Sequence, residues 1–420
     1  MNIKNNLPID VAIVVLSPKG MELARRIKQI LPGSYIHGLK DRVVGGDITF
    51  SETLNHLSRL FVSGRAIIGI CASGILIRSL AGFLSDKLIE PPVISVAEDG
   101  SSVVPLLGGH RGANRLARSI CELTGGHACV TTAGDVGLGL ALDDPPQGWN
   151  IGNIKAVKSI TQNLLASESV SLLVEAGDAS WINQSNAKFL SDGINYSNNS
   201  MAKVRVTDRK ITNAGLDLIL YPPVLALGVG CERSTDPMEL IKLAEKTLQD
   251  AGLAIEAVAV VVSIDLKSDE NAVHALAQHL KVPARFFTAE KLETEFHRLA
   301  NPSDLVFSEV GCHGVAEGAA LCAVGNSGEL LVEKKKSFRS TCAVGKSVVS
   351  IDPSTIGSAQ GELCIIGIGP GAAVWRTQEV TEALAIADEV VGYSLYLDLV
   401  EDVIGSKPRH SSELGREEDR

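Results

Sequence analysis

Ile67-Ile-Gly-Ile-Cys-Ala-Ser-Gly-Ile-Leu-Ile-Arg78 runs from an apolar segment through small residues into a helix-like stretch carrying an arginine. Val103-Val-Pro-Leu-Leu-Gly-Gly-His-Arg-Gly-Ala-Asn114 repeats the plan further along. A strand that hands over to a helix through glycine lets backbone N–H groups approach a ligand closely, and a helix start favours an anion. One such turn says little. Two in one unit, ending at Thr131-Thr-Ala-Gly-Asp135, point to a site for a carboxylate-rich molecule. The loops Cys71–Gly74 and Gly108–Gly112 are the expected walls of one cleft.

Working outward, V-A-I-V-V-L-S-P-K-G within residues 10–20 reads as a strand, with helix-like M-E-L-A-R-R-I-K-Q-I-L after it. Ala66–Ile70, Val93–Val96, Val103–Leu107 and Ala128–Thr132 read as strands, and Arg111–Leu123 as a helix. Glu98-Asp-Gly100 reads as a hairpin turn. Strand and helix alternate, which predicts an α/β fold with a largely parallel sheet.

Residues 136–222 are less regular. Asp143-Asp-Pro-Pro146 breaks the pattern, Leu172–Glu175 and Ala202–Thr207 suit strands, and Asn-Tyr-Ser-Asn-Asn-Ser200 is a polar loop. This stretch is a middle domain or linker. A second α/β unit follows over 223–346. V-L-A-L-G-V-G is its first strand, and Asp236, Pro237 and Glu239 suit the N-cap, first turn and capping box of a helix. Strand Ala257–Ile264, helix Asn271–Leu280, strand Ala284–Phe287 and a helix from Ala289 continue it. Gly311-Cys-His-Gly-Val-Ala-Glu317 is one more small-residue turn, before a closing hairpin of Leu330–Glu333 and Ser340–Val344. Residues 347–361 form a Ser/Gly/Pro-bearing linker. Leu363-Cys-Ile-Ile-Gly-Ile-Gly-Pro-Gly371 then starts another strand and glycine loop.

The chain has 420 residues, too many for one core, since single cores rarely grow past ~250–300 residues. Its 45% hydrophobic and 21% charged residues suit folded globular domains. The longest apolar run, Ala257–Ile264, falls far short of the ~20 residues that span a bilayer. M-N-I-K-N-N-L-P-I-D has no apolar signal core, so a cytoplasmic protein with no membrane partner is expected. A net charge of −10 argues against a nucleic-acid partner. The eight cysteines, Cys71, Cys121, Cys129, Cys231, Cys312, Cys322, Cys342 and Cys364, include no CxxC pair and read as reduced thiols.

His110, between Gly109 and Arg111, is the candidate general base, or else a loop-capping histidine. Arg78 can clamp a carboxylate or be an ordinary exposed helical arginine; Lys87 and Asn114 face the same choice. Glu98 is a candidate acid/base group, although the turn accounts for Asp99 and Gly100 without chemistry. Cys71, Ser73, Gly74, Gly108, Gly109 and Arg111 complete the candidate binding set. Neither Ser73 nor Ser102 has the surroundings of a nucleophile elbow. In the second unit Lys267, Glu270 and Glu317 follow strand ends or a glycine turn, where open α/β sheets place ligands. His274 and His279 are five apart on a helix and share no face, so no metal constellation is expected.

These motifs resemble the cobalt-precorrin-5A hydrolase family of cobalamin biosynthesis over residues 9–345. G-I-C-A-S-G-I-L-I-R, V-V-P-L-L-G-G-H-R-G-A-N and T-T-A-G-D carry the likeness in the N-terminal domain, 9–135. L-G-V-G-C-E-R, S-I-D-L-K-S-D-E and V-G-C-H-G-V-A-E-G-A-A carry it in 223–346. Ala81-Gly82 and Glu90-Pro91 depart from the family's Ala-Pro and Asp-Pro. The resemblance implies an enzyme without a cofactor that opens a lactone on a precorrin or cobalt-precorrin and releases acetaldehyde. His110 is then the first candidate to activate water. Residues 362–420 resemble the start of precorrin-3B C-17 methyltransferase, on G-I-G-P-G at 367–371 and V-V-G-Y-S-L-Y-L-D at 390–398. That likeness implies an incomplete tetrapyrrole-methylase-like domain, with Gly367, Gly369, Pro370 and Gly371 as the S-adenosylmethionine loop. The cofactor is expected only for a complete domain of that type. The fold expected is multidomain α/β, with parallel or mixed sheets flanked by helices. Association with other corrin-pathway enzymes is a further expectation. A non-catalytic corrin carrier is the alternative; a nucleotide-binding regulator lacks a P-loop.

Overall fold

A computed structural model describes residues 11–31, 33–87, 89–168, 170–191, 202–361, 363–405 and 407–412. The expected polar loop ending at Ser200 lies outside them. Of His110 the backbone is described. The chain divides into two compact units, one of residues 8–83, 95–100 and 361–420, the other chiefly of 84–94 and 101–360.

In the first unit, strands Ile48–Phe50, Tyr35–Leu39, Val11–Val15 and Ala66–Ile70 pair in that order, all parallel. Val11–Val15 and Ala66–Ile70 are buried throughout, as unbroken apolar runs become when helices cover both faces of a parallel sheet. Helices Met21–Ile30, Thr53–Val62 and Ser73–Leu80 belong to this layer. A turn closes Ala97 to Gly100, as read from the sequence.

Residues 363–412 have a small core of Leu384, Leu397, Val400 and Ile404 beside a parallel pair, Val390–Tyr393 with Arg409–Ser412. The strand expected at Leu363–Ile368 does not form, and Ile365 is 90% exposed. Among the described residues no strand pairs with that run, and an apolar segment without a ladder partner stays irregular.

In the second unit, strands Ser102–Leu107 and His127–Ala128 pair in parallel, and helix Ala113–Thr124 packs on them. The strand expected over Ala128–Thr132 is thus cut short. The helix expected from Arg111 starts later, because Gly108 and Gly112 have φ of 72° and 96°. Gly109–Arg111 forms a single 3₁₀ turn between those left-handed residues.

The middle stretch is a five-stranded sheet in the order Phe189–Ser191, Val170–Val174, Lys203–Val206, Leu218–Tyr221, Asn150–Ile151. All its pairs are parallel except the last. It has its own core, which includes Ile160, Ile182 and an edge-to-face pair of Trp149 and Trp181.

The second α/β sheet runs Ala284–Phe287, Val258–Ile264, Leu225–Cys231, Ser340–Lys346, Glu329–Lys336. The first three strands are parallel, and the last two form the expected hairpin. Pro237–Asp250 and Asn271–Leu280 share one core with the sheet; Val315–Val324 fills another. A Cβ at Gly228 would fall 1.9 Å from the Ala316 carbonyl oxygen, so only glycine allows that helix to lie so close. Asp236 caps its helix on the Met238 N–H, as expected. Glu239 does not close the capping box; it accepts from Ser337 Oγ and the Arg339 N–H at the hairpin turn. The expected linker is held on the sheet: Ile351 N–H donates to Pro223, and Phe286 and Ser358 exchange backbone bonds of 2.9 and 2.8 Å.

Candidate functional site

A cavity of about 230 Å³ opens at the end of strand Ser102–Leu107. Lys87, Glu90, Gly108, Gly109, Asn114, Thr131 and Thr132 line it, with apolar Pro105 to Leu107. Gly108 sets its rim. A Cβ there would lie 2.7 Å from the Pro92 Cα, and φ is already left-handed. Two ties fix the facing loop: Glu90 accepts from the Ser85 N–H at 2.9 Å, and Arg111 Nη1 donates to the Ile89 carbonyl at 2.6 Å.

The cavity floor is a polar network. Asn114, 5% exposed, donates through Nδ2 to Thr132 Oγ1 at 3.0 Å and to Asp135 Oδ2 at 3.1 Å. Asp135 also accepts from the Thr132 hydroxyl and pairs with Arg118. Burial works to raise the Asp135 carboxyl, but hydrogen bonds from Arg118, Thr132 and Asn114 hold it below its ordinary value. Asp144 shows the opposite balance. Burial pushes its carboxyl up although Arg115 pairs with it at 2.8 Å. The lining offers the Lys87 ammonium, the Thr131 hydroxyl and the Gly108–Gly109 backbone beside the Glu90 carboxylate, and its cationic and hydroxyl groups can receive a carboxylate or a lactone carbonyl.

The structure therefore brings together Lys87, Gly108, Gly109 and Asn114 from the expected set. Arg111 is engaged in the loop tie, and His110 has its backbone in the rim turn. Glu90, Thr132, Asp135 and Arg118 were not singled out; the T-T-A-G-D motif held two of them.

Cys71, Ser73, Gly74, Arg78 and Glu98 belong to the first unit. Burial pushes the Cys71 thiol up to about 11, which leaves it protonated at neutral pH. Ser95 Oγ donates to the Cys71 carbonyl at 2.8 Å. Arg78 Nη1 donates to the Gly74 carbonyl on its own helix, and Glu98 sits in the Ala97–Gly100 turn.

In the second α/β sheet, Glu270 and Glu317 are buried acids that hold backbone. Glu270 accepts from the Ser234 N–H, and Glu317 from the N–H groups of Ala300, Asn301 and Lys334 and from Asn301 Nδ2. Burial would raise Glu317, and those donors hold it below its usual range. Lys267 is half-buried in the loop after Val258–Ile264. Gly367, Gly369, Pro370 and Gly371 form a loop in which Gly369 lies against Trp375 and Gly371 against Leu399.

Two family profiles match in order: Cobalamin synthesis G N-terminal over residues 55–135 and Cobalamin synthesis G C-terminus over residues 225–345. A cobalt-precorrin-5A hydrolase of Priestia megaterium is 28% identical over 355 residues, covering 80% of this chain and 94% of that protein. One of Salmonella typhimurium is 30% identical over 352 residues, covering 80% of this chain and 98% of that protein. A Salmonella typhimurium protein named "Probable cobalt-factor III C(17)-methyltransferase" is 43% identical over 58 residues, 14% of this chain and 24% of that protein. Because the profiles follow one another and the Salmonella hydrolase aligns almost end to end, the chain belongs to the cobalt-precorrin-5A hydrolase family and is an enzyme of cobalamin biosynthesis.

Proposed function

We propose that the chain opens the lactone of a cobalt-precorrin in the cavity at Gly108, acting on one substituent of the macrocycle, and then releases acetaldehyde. The cavity's size and lining carry this reading. Its roughly 230 Å³ is below the ~300–1,000 Å³ of sites that enclose a whole drug-sized ligand. It suits one carboxyl-bearing arm, with the macrocycle outside. Lys87 holds the arm's oxygens, Asn114 fixes the Thr132 wall through its two donated bonds, and the Gly108–Gly109 backbone lets the lactone approach. His110, in the rim turn, takes a proton from water as the water oxygen adds to the lactone carbonyl; the ring C–O bond then breaks and its oxygen is protonated.

The hydrolase chemistry needs no cofactor. The chain does not bind S-adenosylmethionine productively, because the Gly367–Gly371 loop does not follow a formed strand and ligand loops of open α/β sheets sit at strand ends. No helix among the described residues is long and apolar enough to cross a membrane. We place the enzyme in the cytoplasm with other corrin-pathway enzymes as neighbours.

The test is incubation of the purified chain with cobalt-precorrin-5A, following corrin mass and acetaldehyde together. A lactone that stays closed with no aldehyde formed refutes the hydrolase reading; tight binding without turnover would favour a carrier.

A further inference from the structure

His313 lies outside the cavity described above, in the turn between helices Asp304–Val310 and Val315–Val324. The helix Val315–Val324 begins beside Gly230, so His313 sits at the carboxyl edge of the parallel strands, where open α/β sheets hold ligands. Glu293 accepts from His313 Nδ1 at 2.9 and 3.0 Å and from its backbone N–H at 3.0 Å. Burial works to raise the Glu293 carboxyl, but the bonds from His313 hold it low, so it is ionised at neutral pH. A carboxylate can only accept, so Nδ1 carries a proton, and in the neutral form of the ring the lone pair falls on Nε2. Nε2 faces the exposed Asp304 carboxylate at 3.6 Å, beyond hydrogen-bond distance.

The imidazole is set in an aromatic surface. Its ring stacks on Phe307 at 4.4 Å and meets Phe296 at 4.6 Å. Phe296 and Phe307 are 46% and 45% exposed, with exposed Leu305 between them in sequence. The loop that leads to Asp304 is braced by Glu317, 1% exposed, through Ala300 and Asn301, and Ser303 N–H donates to the His313 carbonyl. A buried charge is thus committed to holding this aromatic loop beside the histidine. A flat conjugated macrocycle has the π-face that such rings receive.

We propose that His313 is a catalytic base of this enzyme, acting in the loss of the two-carbon fragment once the opened macrocycle has moved from the Gly108 cavity onto the Phe296–Phe307 surface. The inference rests on the lactone-opening reading above. Opening leaves a hydroxyl on the carbon that joins a methyl group to the macrocycle. His313 Nε2 removes the hydroxyl proton, and the oxygen's electron pair forms the C=O bond of acetaldehyde. The bond from that carbon to the macrocycle breaks, its pair stays on the macrocycle carbon, and the imidazolium returns the proton there. Hydroxyethyl macrocycle becomes protonated macrocycle plus acetaldehyde, with no oxidant or reductant. Glu293 is a positioning residue that fixes the tautomer.

The full chain, His313→Ala and Glu293→Gln are compared with cobalt-precorrin-5A as substrate. Loss of a general base slows its step by ~10²–10⁴-fold. His313→Ala should slow acetaldehyde release by that factor while a corrin bearing one added water accumulates, and added imidazole should restore part of the rate. Glu293→Gln should show the same accumulation more weakly. Acetaldehyde at the parental rate, a block before water is added, or indifference to imidazole overturns the assignment. Should His313→Ala melt far below the parent, Glu293→Gln decides: accumulation supports the role, parental release refutes it. A parent chain that neither adds water nor releases acetaldehyde refutes the functional reading itself, and this assignment with it.

Discussion

Gly108→Ala should damage both stability and the site, by an amount the structure allows to be divided. A non-glycine residue in the left-handed region costs roughly 1–2 kcal/mol. The new methyl would also lie 2.7 Å from the Pro92 Cα and 2.8 Å from the Pro91 carbonyl carbon, both backbone atoms that cannot rotate away. Regaining van der Waals contact moves one loop by several tenths of an ångström, and such overpacking costs about 1–3 kcal/mol. The sum is roughly 2–5 kcal/mol. Gly125→Ala is the control. Its φ is 74°, much as at Gly108, but nothing lies within 4 Å of its Cβ, so only the backbone cost of roughly 1–2 kcal/mol applies. Urea melts of both variants give the difference. The displaced rim carries Gly109 and the turn of His110, so kcat/KM should fall on the order of 10²-fold in Gly108→Ala and stay near parental in Gly125→Ala. Equal melts and equal turnover in the two variants would refute the close-approach argument.

Asn114→Ala leaves Thr132 and Asp135 short of a donor and should cost about 1–3 kcal/mol by urea melt, with a larger rise in KM than fall in kcat. The first unit should lose stability in acid. His37 is buried, meets His56 Nε2 at 2.8 Å, and burial, with His56 second, lowers it from 6.5 to about 4. A depressed histidine favours the neutral folded form. Its contribution is therefore full above pH 6.5 and is lost as the pH falls towards 4, by about 3 kcal/mol in total. His37→Gln should flatten the pH dependence of hydrogen exchange in Val11–Val15, and an unchanged slope would contradict the assignment. Calorimetric titration of the full chain with S-adenosylmethionine should show no binding; micromolar affinity would show that the Gly367–Gly371 loop is a working site.

The sequence reading and the structure agree where strong local signals coincide with long elements. Helix Asn271–Leu280 and strand Ala284–Phe287 have the bounds read from the residues, because apolar spacing and flanking breakers act together there. The helix of Ala113–Thr124 was read two residues early: Arg111 and Gly112 have helical company in sequence, and only the left-handed glycines show that the turn intervenes. The middle sheet was legible only in part. Ala202–Thr207 and Leu172–Glu175 suit strands and lie on Lys203–Val206 and Val170–Val174, whereas Asn150–Ile151 has two residues, so tertiary pairing decides it. The glycine-borne part of the site, with Lys87 and Asn114, was legible because tight turns leave compositional marks. The Asn114–Thr132–Asp135–Arg118 network was not, since its members meet only when strand and helix pack. His313 stands in the G-C-H-G motif, but its partner Glu293 lies twenty residues earlier on another element.

Lactone opening with loss of acetaldehyde is tested most directly by a stoichiometry. Cobalt-precorrin-5A and the purified chain are incubated without added cofactor, and acetaldehyde is counted against lactone consumed. One acetaldehyde per lactone opened, abolished by disrupting the Gly108 cavity, is the predicted result. No acetaldehyde, with the substrate recovered intact, would contradict it.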